Sequence, residues 1–139
     1  MNDQSFEETV ARLCEFDYAY DMEAYYFVRD ALDYASSKLR AESTSRHVTG
    51  AELSEMAREY ALQEFGPLSL LVLNEWGLYE TSDFGEIVYK LINEGVFGKT
   101  ETDQKEHFKD VYDFTDAFAK PFEPEDIKFD SPAISGKKK

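Results

Sequence analysis

Apolar residues recur at intervals of three and four along most of this chain, the spacing that gives a helix one buried face. Phe6, Val10, Leu13 and Cys14 make the first such face, opened by a Ser5-x-x-Glu8 capping box and running to about Phe16. Asp17 to Tyr20 reads as a turn, and Asp21 caps a long second helix from Met22 to about Arg40. Its buried stripe is Tyr25, Val28, Leu32, Ala35 and Leu39, with Ala24, Phe27, Ala31 and Tyr34 alongside. Tyr25 and Tyr26 together exceed one stripe, so one ring is expected near the surface.

After the polar connection 41–46, Thr49 and Glu52 form a second capping box, so a third helix starts at Gly50. Leu53, Met56, Ala57, Tyr60, Ala61 and Phe65 supply its apolar face, Gly66 stops it, and Pro67 suits the start of the next helix. That fourth helix, Leu68 to Glu75 or Trp76, is apolar nearly all round, which predicts burial on most sides. Gly77 ends it, and Ser82 caps a fifth helix carrying Phe84, Ile87, Val88, Leu91 and Ile92 up to Gly95. Beyond it, Val96 to Thr100 and His107 to Phe114 read as a β-hairpin across a polar connection, because Phe108, Tyr112 and Phe114 alternate with charged residues. Thr115 to Lys120 makes one helical turn, with Phe114, Phe118 and Phe122 spaced to dock on the core.

The expected fold is therefore mainly α: a single domain over 1–122, with about five helices and a small C-terminal β-hairpin. Residues 49–114 follow the element order of a winged helix, an analogy that carries no function by itself. Residues 123–139 hold two prolines, few apolar side chains and a closing Lys137, Lys138 and Lys139, and read as a flexible tail.

Charge narrows the functional classes more than any motif does. The 139 residues hold 29 acidic and 15 basic side chains, a formal net charge of −14. Duplex binding draws its affinity from Lys and Arg on phosphates, so a body this acidic disfavours nucleic acid. The fifth helix, which would be the recognition helix, offers Lys90 against Asp83, Glu86 and Glu94. One cysteine, Cys14, forms no internal disulfide, and two histidines, His47 and His107, with one cysteine make no zinc-type ligand set. The N-terminal MNDQSFEE is acidic where a signal peptide is basic, and there is no run of 18 apolar residues. A cytoplasmic protein with no membrane span is expected.

No catalytic, cofactor or metal motif stands out. Arg46, His47 and Thr49 flank a helix start and offer a candidate anion site, set against the simpler reading that Arg46 pairs with an acid and His47 bonds a carbonyl. Asp110, Asp113 and Asp116, near Glu106, lack the loop pattern of a calcium site and read as an acidic edge. Carboxylate pairs drawn from Glu75, Glu80, Asp83 and Glu86 arise by chance in so acidic a chain, and Cys14 reads as a small core residue. Trp76, Phe65, Phe84 and Tyr79 gather at the turns of the central stretch, where core packing is the bland reading. The sharper one is an interaction surface of Trp76, Tyr79, Asp83, Glu86 and Tyr89, with a basic protein as partner.

The segments EAYYFVRDALDY (Glu23 to Tyr34), RHVTGAEL (Arg46 to Leu53), FGP (Phe65 to Pro67), EWG (Glu75 to Gly77), DFGEIVY (Asp83 to Tyr89) and the run from Tyr112 to Phe122 carry a family resemblance. The chain resembles an uncharacterised family of bacterial proteins restricted to verrucomicrobial and planctomycete lineages. The resemblance spans nearly all of Phe6 to Phe122 and implies a cytoplasmic bacterial protein; it brings no assigned activity and no residue roles. The leading expectation is a non-enzymatic, acidic protein-interaction module without a cofactor. The alternatives are a winged-helix nucleic-acid regulator, and a small-ligand binder or enzyme using the pocket near Arg46 and His47. Self-association is compatible with the sequence and not specified by it.

Overall fold

Thr49 and Glu52 fasten the start of one helix reciprocally: the Glu52 amide donates to Thr49 Oγ1 at 3.1 Å and the Thr49 amide to Glu52 Oε1 at 3.0 Å. In the computed structural model, which describes residues 3–42, 48–97 and 105–124, this helix is the third of six. They are α1 (Asp3–Phe16), α2 (Met22–Glu42), α3 (Gly50–Phe65), α4 (Ser69–Glu75), α5 (Thr81–Asn93) and α6 (Phe114–Phe118). Short 3-10 turns cover Gly66–Leu68, Lys105–Phe108 and Lys120–Phe122. Among the described residues no helix is long and apolar enough to cross a membrane.

The core is built around α2. Tyr25, Val28 and Ala35 are buried as the helical stripe requires, and Ala24, Phe27 and Ala31 widen the buried face. Phe27 meets four other rings, Tyr60 and Phe65 of α3, Trp76 after α4 and Phe84 of α5, with centroids between 5.7 and 6.4 Å. Through that one residue α2 is packed against three other parts of the chain. On its other flank, Phe6 of α1 is fully buried, edge-on to Tyr26 and stacked with Phe97, while the Arg29 guanidinium lies 4.9 Å above the Phe6 ring. Tyr25 is the buried member of its pair and Tyr26 the half-buried one.

The C-terminal part departs from the expected hairpin. No strand forms among the described residues: 105–108 is a 3-10 turn and α6 begins at Phe114, so the winged-helix arrangement over 49–114 is not formed. The alternation of Phe108, Tyr112 and Phe114 serves a different purpose. The Cδ2 edge of Phe108 lies against bare backbone of both α3 and α5, where a Cβ on Gly50 or Gly85 would stand 2.9 or 2.7 Å from it. Buried Thr81 donates to the Phe108 carbonyl at 2.6 Å and accepts from the Val111 amide at 3.1 Å. Tyr112 donates to the Ser54 carbonyl at 2.6 Å, and Phe114 and Phe118 are buried edge to face, 5.0 Å apart. Phe108 and Tyr112 are thus fixed by helices remote in sequence, and Phe114 also lies 5.8 Å from the Phe84 ring of α5. Residues 98–104, the rest of the expected hairpin, lie outside the described residues, as does the tail from 125 onward.

Four smaller expectations are also corrected. The first helix opens at Asp3, leaving Ser5 inside it and not at its cap. The fifth opens at Thr81 and not after Ser82, with Asp83 Oδ2 accepting from the amides of Tyr79 and Glu80. Phe122, expected to dock on the core, is 45% exposed. Finally, the expected fourth helix from Leu68 is not buried on most sides: Leu73 is enclosed, but Leu71 of α4 is 60% exposed and Leu68, in the 3-10 turn before it, 58%.

Candidate functional site

Two connections, 17–21 between α1 and α2 and 76–80 between α4 and α5, are held side by side. The Asp21 amide donates to the Trp76 carbonyl at 3.0 Å. Gly77 has a φ of +91°, a conformation open to glycine, and a Cβ there would lie 2.5 Å from the Ala19 carbonyl oxygen. Only a residue without a side chain lets the two backbones approach so closely.

Inside this junction Tyr20 is buried and donates its phenol to Asp83 Oδ1 at 2.7 Å. Burial, reinforced by the Asp83 carboxylate, pushes the Tyr20 phenol far above its ordinary pKa. Asp21 accepts from the Glu23 amide at 2.9 Å, the cap expected for α2. Asp17 Oδ1 accepts from the Ala19 amide at 3.0 Å, and its Oδ2 receives the Lys90 ammonium at 2.5 Å. The hydrogen bond from Lys90, then that from the Ala19 amide, holds the Asp17 carboxyl below its usual range. Each acid that shapes the turns is occupied in shaping them.

With Tyr20 turned inward, other apolar side chains are left outside. Phe16 and Tyr18 are 79% and 86% exposed, and Tyr79 is 62% exposed on the opposing connection, with Met22 partly open as well. Around them, residues 15–23 carry four carboxylates (Glu15, Asp17, Asp21, Glu23) and residues 75–83 three (Glu75, Glu80, Asp83), with no Lys or Arg in either segment. Lys90 comes from α5 and is taken by Asp17. The outcome is a surface of exposed rings among carboxylates.

The residues singled out from the sequence divide between this junction and elsewhere. Tyr79 lies on the exposed surface and Asp83 forms its floor. Trp76 is half-buried, 5.6 Å from Phe65 and 6.0 Å from Phe27, and acts as core on its ring and as a staple through its carbonyl. Glu86 and Tyr89 sit further along α5: Glu86 accepts from Lys105 at 3.3 Å, and the same ammonium lies 6.0 Å from the Tyr89 ring. Glu86 and Lys105 also line a half-open cleft of about 200 Å³ with Ser82, Glu106 and Lys109, whose mixed charges nearly cancel. Phe16, Tyr18 and Met22 were not singled out. The signal available was two large apolar side chains, Phe16 and Tyr18, at a segment whose acids mark it as a turn.

Among the other candidates, Thr49, Asp113 and Asp116 take structural roles. At the expected anion site, the Thr49 and Glu52 amides are already bonded within the capping box, and Arg46 and His47 lie outside the described residues. Asp113 caps α6 by accepting from the Asp116 amide at 3.1 Å, and Asp116 pairs with Lys120 at 2.9 Å. No group of three or more His, Cys, Asp or Glu able to hold a metal occurs among the described residues. Burial raises the Cys14 thiol, helped by Asp21 and Asp17, which lowers its reactivity. Comparison with known proteins found no family model, no curated protein and no solved structure that matches this chain.

Proposed function

We propose that this protein is a non-enzymatic interaction module that holds a basic protein segment on the acidic aromatic surface formed by residues 15–23 and 75–83. The observation that carries this reading is the exposure of Phe16, Tyr18 and Tyr79 on two segments, 15–23 and 75–83, that contain seven carboxylates and no basic residue. Exposed rings attract Arg and Lys through their negative faces, and aromatic anchors dominate binding energy where they become desolvated. The surrounding carboxylates add long-range steering toward a basic partner and reject acidic ones. Rigidity helps as well, because the Asp21–Trp76 and Tyr20–Asp83 bonds fix the two connections before a partner arrives.

The reading is tested by capturing partners from a lysate on the immobilised chain at low and high salt, beside a Tyr18→Ala/Tyr79→Ala double variant. A basic partner that is lost at high salt and lost with the double variant supports it. A partner retained in full by the double variant, or one that is acidic, overturns it.

A further inference from the structure

The acidic aromatic surface already holds a cation, supplied by the chain itself. Lys90 stands in the last turn of α5 and reaches across to the connection between α1 and α2, where its ammonium meets Asp17 Oδ2 at 2.5 Å. Asp17 lies between Phe16 and Tyr18, the most exposed rings among the described residues. The other carboxylates that shape the junction are committed to the fold. Asp83 serves the Tyr20 phenol and the Tyr79 and Glu80 amides, and Asp21 the Glu23 amide. Asp17 Oδ2, by contrast, is given to a charge on a flexible four-carbon stem.

This pair is open to exchange. The Lys90 and Asp17 side chains are 29% and 32% exposed, so a second cation can approach the carboxylate while the first swings into water. Ion pairs of this exposure favour their closed form by about fivefold or less. Release leaves the turn intact, because Asp17 Oδ1 keeps the Ala19 amide, and the freed ammonium remains at the C-terminal end of α5, where the helix dipole favours positive charge.

We propose that Lys90 is an internal competitor of the partner: it occupies Asp17 in the free protein and yields that carboxylate to a basic side chain arriving between Phe16 and Tyr18. The inference rests on the surface proposed above and names what regulates it. A guanidinium can bond a carboxylate and stack on a ring at once, so an arginine is well suited to displace the lysine. The exchange sets a threshold, since a segment must offer more than Lys90 does before it is held.

Fluorescence anisotropy of a labelled oligoarginine peptide at fixed low salt tests this, with Lys90→Met beside Lys105→Met. Each substitution removes one positive charge from α5 or the turn packed on it and frees one carboxylate, Asp17 or Glu86, so long-range attraction rises alike in both. The expected result is that Lys90→Met tightens binding about two- to fivefold more than Lys105→Met does, with Lys90→Gln behaving the same way should the methionine disturb folding. In an Asp17→Asn background that extra gain should vanish. Equal tightening by the Lys90 and Lys105 variants, or a Lys90 effect that persists with Asp17→Asn, overturns this inference alone, provided that the Tyr18→Ala/Tyr79→Ala variant still loses the peptide. A peptide that binds no variant, or binds the double tyrosine variant as well as the parent, overturns the surface itself and this inference with it.

Discussion

Tyr20 and Asp83, 63 positions apart, are joined by a 2.7 Å hydrogen bond from the phenol to Oδ1, while Oδ2 of the same carboxylate gathers the Tyr79 and Glu80 amides. One carboxylate therefore starts α5 and also secures the loop between α1 and α2. Hydrogen bonds to ionised groups contribute about 1.5 to 3 kcal/mol, and partial exposure places this one near the lower end. Tyr20→Phe, which keeps the buried ring, is expected to lower the unfolding free energy by about 1.5 kcal/mol in urea titration. A change within measurement error would mean that the phenol and the carboxylate do not meet in solution.

Thr81 has a heavier duty. Its hydroxyl, 1% exposed, satisfies a carbonyl and an amide of the 108–111 segment at once. Thr81→Val preserves shape and leaves both backbone groups without that partner, at an expected cost of about 2 to 3 kcal/mol. Amide hydrogen exchange should locate the loss, with Val111 exchanging faster than in the parent while α2 remains protected.

Gly85 stands mid-helix, where alanine would ordinarily stabilise by about 1 kcal/mol. Here the added Cβ would fall 2.7 Å from Phe108 Cδ2 and 2.8 Å from Cγ, the rigid base of a buried ring. Overpacking of this kind costs about 1 to 3 kcal/mol, so Gly85→Ala is expected to destabilise despite the better helix former. A rise in melting temperature would show that Phe108 is not seated against α5.

Acid should reveal the Lys90–Asp17 pair. Folding depresses the Asp17 carboxyl below its unfolded value of about 3.9, so its stabilisation is complete above that pH and is lost as pH falls through the folded value. Lys90→Met removes the largest cause of the depression. Between about pH 5 and pH 2 the variant's stability should therefore fall less steeply than the parent's. Parallel curves would show that the ammonium does not hold this carboxylate.

Local chemistry explains which parts of the fold could be read in advance. The start of α3 was legible because Thr49 and Glu52 satisfy each other within one turn, and the stripe of α2 because Tyr25, Val28 and Ala35 repeat at the helical period. What was misread depends on distant partners. Thr81 is diverted to the 108–111 segment and Asp83 reaches back to residues 79 and 80, so the start of α5 did not follow the usual serine or threonine cap at Ser82. Phe108, Tyr112 and Phe114 mimic a strand in spacing because two glycines and a carbonyl, contributed by α3 and α5, happen to receive them. The exposed surface was half visible: Tyr79 was identified, but Tyr18 was hidden in a turn whose apposition to residue 77 only the fold supplies.

The meeting of Phe108 with the bare flanks of Gly50 and Gly85 makes that ring a wedge shared by the first helical turn of α3 and the middle of α5. A chain ended before residue 105 should keep α2 and α3 paired yet expose a narrow trough floored by peptide groups, one that a phenylalanine-bearing peptide supplied separately would fill.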